Sequence, residues 1–159
     1  MALALCIRAI EAGVRPPSGL LLAYPALNLN METASPSYLL SLEDMVMSHS
    51  MLQLCRTHYL RPGCDPKHDP LISPLAASDS TMRLLPPVRL IVGSKDPLKD
   101  DCLRLADRLL CLGVNVELKV FEGMPHGVLN YDVKFGLPEA RQMVDAGTQY
   151  LRDLLRLAN

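Results

Sequence analysis

The sequence predicts an α/β fold, in which helices flank a mostly parallel sheet. Two apolar runs bounded by proline and glycine, 19–24 and 87–92, are typical of strands buried on both faces. A third segment, 116–121, alternates apolar and polar side chains, as a strand does. Helical patterns separate the second strand from the third and flank all three, and this order is characteristic of a parallel sheet with helices on both faces.

The composition is that of a soluble globular protein with one domain. The 159 residues carry a formal net charge of -1, and 49% of them are hydrophobic and 21% charged. Near-neutral charge without a basic block argues against nucleic acid as the main partner. No apolar run reaches the roughly 18 residues that a transmembrane segment needs. The five cysteines are odd in number and lack paired spacing, which favours a reducing compartment and a cytoplasmic location.

Three long helices are predicted from helix-forming residues and from apolar periodicity. They cover 2–12, 98–112 and 138–157. Asp100 and Asp101 lie in the first turn of the second of these helices, where carboxylates interact with the helix dipole rather than take part in chemistry. The core-facing side chains of the last helix are expected to be Ala140, Met143, Val144, Gly147, Leu151, Leu154 and Leu155.

A long insert separates the first two strands. Residues 30–80 contain two short helices, within 36–60, and a connection rich in proline and aspartate. Inserts of this length are usually functional, often as lids, so we expect a cap-like insert and connection. Its methionines could line an acyl pocket, although ordinary packing accounts for any one of them more simply. These methionines are Met45, Met47 and Met51.

Two polar side chains follow neighbouring strands at the same predicted edge of the sheet. Asp96 comes a few residues after 87–92, and His126 comes a few residues after 116–121. In parallel sheets, chemistry gathers at the carboxyl ends of the strands. A neutral imidazole can take a proton from a hydroxyl nucleophile, and a carboxylate bonded to it fixes its tautomer. The sequence therefore predicts that Asp96 and His126 form an acid–base pair.

Each of these side chains also has a purely structural interpretation. Asp96 precedes Pro97 and could cap the helix that follows. His126 could be an ordinary loop histidine. Ser94 lies close to Asp96 in sequence, but we interpret it as a turn residue and not as a nucleophile, because no Gly-x-Ser-x-Gly context surrounds it.

Two segments resemble the C-terminal half of the hormone-sensitive lipase family of α/β-hydrolases. They are 85–101, LPPVRLIVGSKDPLKDD, and 122–128, EGMPHGV. The resemblance implies an α/β-hydrolase fold in which Asp96 is the triad acid and His126, 30 residues later, is the triad histidine. Segment 69–75, DPLISPL, is similar to the Ser-Pro-Leu segment that precedes the acid strand in this family.

Two hallmarks of that family are absent from the sequence. Its nucleophilic serine lies in a Gly-x-Ser-x-Gly elbow and its oxyanion hole uses a His-Gly-Gly segment, and neither pattern occurs in these 159 residues. We therefore expect residues 1–159 to be the C-terminal part of a single domain, beginning shortly after the serine. Without a nucleophile, this chain alone should be inactive or nearly so. Residues 19–24 should then form an unpaired apolar edge of the sheet.

The activity that the resemblance implies is hydrolysis of carboxylic esters, as by an esterase or lipase of lipid metabolism. The substrate would be a small-molecule ester or an acylglycerol, and a peripheral contact with lipid is compatible with such substrates. A Ser-His-Asp triad needs no metal or organic cofactor. Two alternatives remain open: a non-catalytic lipid- or protein-binding module that keeps a hydrophobic pocket, and a hydrolase of amide or peptide bonds. The oligomeric state is left open by the sequence.

Overall fold

Three parallel strands form the centre of the fold. The computed structural model describes residues 1–33, 35–41, 46–133 and 136–157. The strands are β1 (Leu20–Ala23), β2 (Val88–Gly93) and β3 (Val116–Phe121), and they lie in the order β1-β2-β3 with both pairs parallel. In the register, Leu90 of β2 lies opposite Leu22 on one side and Leu118 on the other. The predicted parallel sheet flanked by helices is confirmed.

Six α-helices surround the sheet within the described residues. Serine side chains start three of them, because Ser35, Ser48 and Ser78 each accept a hydrogen bond from a backbone N–H in the first helical turn. No helix of the described residues is both long enough and apolar enough to cross a membrane. The helices are α1 (Ala2–Glu11), α2 (Pro36–Leu40), α3 (His49–Tyr59), α4 (Asp79–Met82), α5 (Lys99–Cys111) and α6 (Pro138–Leu157).

The two faces of the sheet carry separate apolar cores, because successive side chains of a strand point to opposite faces. Leu90 of β2 belongs to the larger core, which α1 and α5 cover with Ile7 and Leu105 among others. Ile91, the next residue, belongs to a smaller core that α6 covers with Met143. All of these side chains are at most 2% exposed. Burial on both faces explains why β2 is a continuous apolar run apart from Arg89.

The strand β1 lies at the edge of the sheet. Among the described residues β1 pairs only with β2, as expected for an apolar edge strand. This edge accounts for an error in the predicted core of α6: Leu151 and Leu155 are 49% and 58% exposed rather than buried. Leu151 and Leu21 of β1 line one depression between α6 and the edge of the sheet. The other predicted core-facing residues of α6 are buried, except for the half-buried Val144.

The connection that follows α3 is fastened to α5 by one arginine. Arg108 donates hydrogen bonds to the backbone oxygens of Leu75 and Ala77, at 2.8 and 2.6 Å, and forms an ion pair with Asp79 at 2.6 Å. The planar guanidinium group satisfies several acceptors at once, which a lysine could not do with the same geometry. Residues 74–79, which precede β2, are thereby held against the helix that follows it.

The loops after β2 and β3 are bonded to each other. Ser94 N–H donates to the backbone oxygen of Phe121 at 2.9 Å, and Lys95 N–H donates to that of Met124 at 3.1 Å. Gly93 makes this approach feasible, because a Cβ atom at this position would overlap the backbone oxygen of Met124. The two loops therefore leave the sheet as one connected unit.

We expect the substitution Gly93→Ala to lower the free energy of unfolding by more than about 2 kcal/mol, since backbone rather than a flexible side chain must move. Gly147→Ala is the matched control. Its Cβ would lie 3.5 Å from Ile91 Cδ1, an ordinary contact, and the change should stabilise α6 by about 0.5–1 kcal/mol. Urea denaturation of both variants measures the difference, and equal effects of the two would contradict the close approach of the loops.

Candidate active site

Asp96 lies in the turn between β2 and α5, and its side chain is 0% exposed. Its Oδ1 accepts a hydrogen bond from Leu98 N–H at 2.8 Å, and its Oδ2 lies 3.0 Å from His126 Nδ1. The N-cap of α5 is Leu98 and no side chain caps this helix, so Asp96 is not its cap; Oδ1 instead bonds within the turn that precedes the helix. The bond to Leu98 fixes the plane of the carboxylate and aims the second oxygen at the imidazole.

His126 lies in the loop after β3, with 15% of its side chain exposed. The loop turns at Gly123, whose φ of 74° belongs to the left-handed region that glycine adopts readily. On the other side of the histidine, Val128 is 0% exposed and begins a short 3₁₀ helix, Val128–Tyr131. The histidine is thus held between a tight turn and a buried anchor. The structure brings Asp96 and His126 together at the carboxyl edge of the sheet, where the sequence places them.

Tyr24 is a third residue at this edge, which the sequence pattern marked only as the end of a strand. Its ring centroid lies 4.7 Å from that of His126, at an angle of 60°. Its φ is 35°, which is uncommon for a residue with a side chain and marks a constrained position. Burial, and then the charge of Asp96, raise the pKa of the Tyr24 phenol. Its position in the sequence could have indicated this place, because Tyr24 follows the end of β1 as Asp96 follows the end of β2.

The geometry suits proton transfer by the imidazole. With Nδ1 directed at the Asp96 carboxylate, the neutral ring carries its proton there and Nε2 is the nitrogen that can accept one. The carboxylate would then stabilise the imidazolium that forms. The His126 side chain is 15% exposed, so the ring is not sealed inside the described fold.

Ser94 has a structural role in the turn after β2. Its Oγ accepts a hydrogen bond from Gly123 N–H at 2.8 Å and donates one to Glu122 Oε1 at 3.2 Å. Both bonds tie the loop after β2 to the turn after β3. The hydroxyl is therefore occupied in holding the two loops together, which agrees with its interpretation as a turn residue.

No metal centre is apparent in the described part of the chain. No group of three or more His, Cys, Asp or Glu side chains is arranged there to hold an ion. The five cysteines are all free thiols.

An apolar cavity of about 360 Å³ lies next to the pair but does not include it. Pro97 and Leu98, which directly follow Asp96, form part of its wall, whereas neither Asp96 nor His126 lines it. Its other walls come from the start of α1, the loop after β1, and the insert, which contributes Leu52 among others. The turn 96–98 therefore faces the pair on one side and the cavity on the other.

Two of the three methionines suggested from the sequence for an acyl pocket, Met47 and Met51, do not line this cavity. Met51 is 44% exposed, Met47 is half-buried elsewhere, and Met45 lies outside the described residues. The methionines of the cavity wall are Met1 and Met31. Sequence position within the insert did not reveal which side of each helix faces inward.

Asp101 lies in the first turn of α5, as predicted, but it also lines the same cavity and is only 5% exposed. Burial raises the pKa of its carboxyl group to about 6. The charge of Arg104, 3.6 Å away, and a hydrogen bond from Asn28 N–H oppose this rise without cancelling it. The preceding residue, Asp100, instead bonds to the insert through Ser37 N–H at 2.8 Å.

A family model and individual relatives both assign this chain to the same family of proteins. A family model described as α/β hydrolase fold matches residues 1–130. Hormone-sensitive lipase of Mus musculus is 41% identical over 87 residues, which are 55% of this chain and 11% of the lipase. An esterase of Acinetobacter venetianus is 34% identical over 142 residues, 89% of this chain and 45% of the esterase.

Solved structures of esterases also resemble this chain. A fungal esterase from Rhizomucor miehei superposes with a TM-score of 0.85 at 25% identity, covering 99% of this chain and 49% of that chain. This chain thus spans less than half the length of each of these three relatives.

We expect Asp101→Asn to stabilise the protein at neutral pH but not in acid. The folded state binds the Asp101 proton more tightly than the unfolded state, since the pKa rises from 3.8 to about 6. Stability is therefore lost as pH increases through this window. At pH 7.5 the variant should be more stable by roughly 1–3 kcal/mol, and at pH 4 the two should be equal.

Urea denaturation at both pH values measures this effect, with Asp107→Asn as the control because Asp107 is exposed on the same helix. A gain in stability that is the same at pH 4 and pH 7.5 would contradict the burial of a titrating carboxyl group.

Proposed function

This chain belongs to the α/β-hydrolase fold family, in its hormone-sensitive lipase-like branch, and from that premise we propose that it supplies the acid and the base of a carboxylic ester hydrolase. His126 acts as general base and then as general acid, and Asp96 orients it. The observation that carries the proposal is the 3.0 Å contact between Asp96 Oδ2 and His126 Nδ1 at the carboxyl edge of a parallel sheet.

The nucleophile in this proposal is a serine outside these 159 residues, which contain no Gly-x-Ser-x-Gly segment. Attack by that serine on the ester carbonyl, with its proton passing to His126, forms an acyl-enzyme and releases the alcohol, which takes the proton from His126. Water, activated by the same imidazole, then attacks the acyl-enzyme and releases the acid and the free serine. The 159 residues alone should hydrolyse esters slowly or not at all, because the nucleophile supplies most of the rate enhancement.

The substrate in this proposal is a small-molecule ester or an acylglycerol. An apolar cavity of about 360 Å³ adjoins the Asp96 turn and suits the hydrocarbon part of such a molecule. We propose that residues 30–80 act as the cap over this cavity, since Leu52 and other residues of the insert form part of its wall. A role in lipid metabolism and a peripheral lipid contact would follow, and five free thiols favour a cytoplasmic location.

A second candidate function is a non-catalytic lipid-binding module. The observation that favours it is that the cavity is lined by neither Asp96 nor His126, so an apolar ligand could occupy it without meeting the pair. Such a protein would keep the cavity and lose turnover.

Labelling with a fluorophosphonate probe tests the enzyme proposal. The native gene product should be labelled. The substitution His126→Gln should slow labelling by on the order of 10³-fold or more, because the base that activates the serine is lost. His58→Gln is the matched control, because His58 is exposed on α3.

Labelling that persists at the same rate in His126→Gln would overturn the assigned role of this residue. A gene product that is folded and never labelled would exclude the hydrolase and favour the binding module.

A further inference from the structure

Three hydrogen bonds join the insert to the start of α5 and to the residue before its N-cap. Ser37 N–H donates to Asp100 Oδ2 at 2.8 Å, and Asp100 N–H donates to Ser37 Oγ at 3.1 Å. The Ser37 hydroxyl donates in turn to the backbone oxygen of Pro97 at 3.0 Å. These three bonds connect residues that are 60 or 63 positions apart in sequence.

The Ser37 hydroxyl makes every hydrogen bond that a hydroxyl group can make. A hydroxyl donates one hydrogen and accepts two. The single hydrogen goes to Pro97, while Asp100 N–H and the Ser35 hydroxyl, 3.1 Å away, supply the two accepted bonds. Ser35 and Ser37 are each 5% exposed, so water does not readily replace a lost partner.

Pro97 connects this arrangement to the acid. It directly follows Asp96, is fully buried, and has no N–H of its own to fix it. The Asp96 carboxylate is oriented by Leu98 N–H at 2.8 Å, and the Asp96 backbone oxygen accepts from Lys99 N–H at 3.1 Å. A shift of the Pro97 carbonyl would therefore turn the carboxylate away from the imidazole.

We propose that Ser37 and Asp100 are positioning residues that hold the Asp96 carboxylate in line with His126 Nδ1. We call the three hydrogen bonds among Ser37, Pro97 and Asp100 the clamp. Its role in catalysis rests on the function proposed above, but its effect on the geometry of Asp96 and His126 does not. Ser35, Tyr38, Pro97 and Leu98 all line the apolar cavity, so residues from both segments joined by these bonds face it.

The state of the His126 ring tests the clamp directly. The chain contains four histidines, so the ring Nδ1–H of His126 can be assigned by ¹⁵N NMR. In Ser37→Ala, exchange of this proton with water should accelerate about five- to tenfold, the effect of losing one hydrogen bond. Asp96→Asn, which removes the carboxylate itself, should accelerate it at least as much.

Asp100 variants separate the clamp from a simple helix-dipole effect. Asp100→Asn keeps an oxygen that can accept from Ser37 N–H and should resemble the wild type, whereas Asp100→Ala should behave like Ser37→Ala. A dipole effect would make Asn and Ala equivalent, because both remove the charge. Asp107→Asn, an exposed change on the same helix, is the control.

The outcomes distinguish the clamp from the proposed function. If Asp96→Asn accelerates exchange while Ser37→Ala and Asp100→Ala do not, the clamp is overturned and the acid–base pair stands. If Asp96→Asn has no effect, both the pair and the clamp are overturned. Fluorophosphonate labelling bears on the hydrolase activity alone and leaves the NMR result intact.

Discussion

The parallel pairing of β2 with β3 is the constraint on which the site depends. Because the two strands run in the same direction side by side, their loops leave the sheet at one edge. Gly93 then lets the backbone of Met124 pass where a side chain would otherwise stand. Asp96 and His126 meet at 3.0 Å as a consequence of this approach. This contact is held because the two loops, although far apart in sequence, are hydrogen-bonded to each other as one unit.

Features that depend on local sequence were predicted well. The strand β3 and the helix α6 have the predicted bounds, since alternation and a helical apolar stripe are periodic signals within one segment. The meeting of Asp96 with His126 followed from topology, because equivalent positions after parallel neighbours lie at one edge. The catalytic roles of both residues remain predictions.

Features that depend on packing partners distant in sequence were not predicted. Leu151 belongs to the apolar stripe of α6, but its exposure depends on where the sheet ends. Asp100 and Asp101 are adjacent in sequence and have the same side chain, yet one bonds to Ser37 and the other faces an apolar cavity. Nothing local to the Asp-Asp pair distinguishes them, because the difference comes from residues distant in sequence: Asn28 bonds to Asp101 and Ser37 bonds to Asp100.

The turn 96–98 lies between the imidazole of His126 and the apolar cavity. Its first residue orients the imidazole, while Pro97 and Leu98 form part of the wall of the apolar cavity. An insert that only covered the cavity would need no polar bond to this turn, yet Ser37 makes one to Pro97 from a buried position. Burying a hydroxyl group lowers the stability of the fold unless its hydrogen bonds are satisfied, and the Ser37 hydroxyl makes all the bonds that it can. The placement of the insert and the orientation of Asp96 are therefore coupled through the same few atoms.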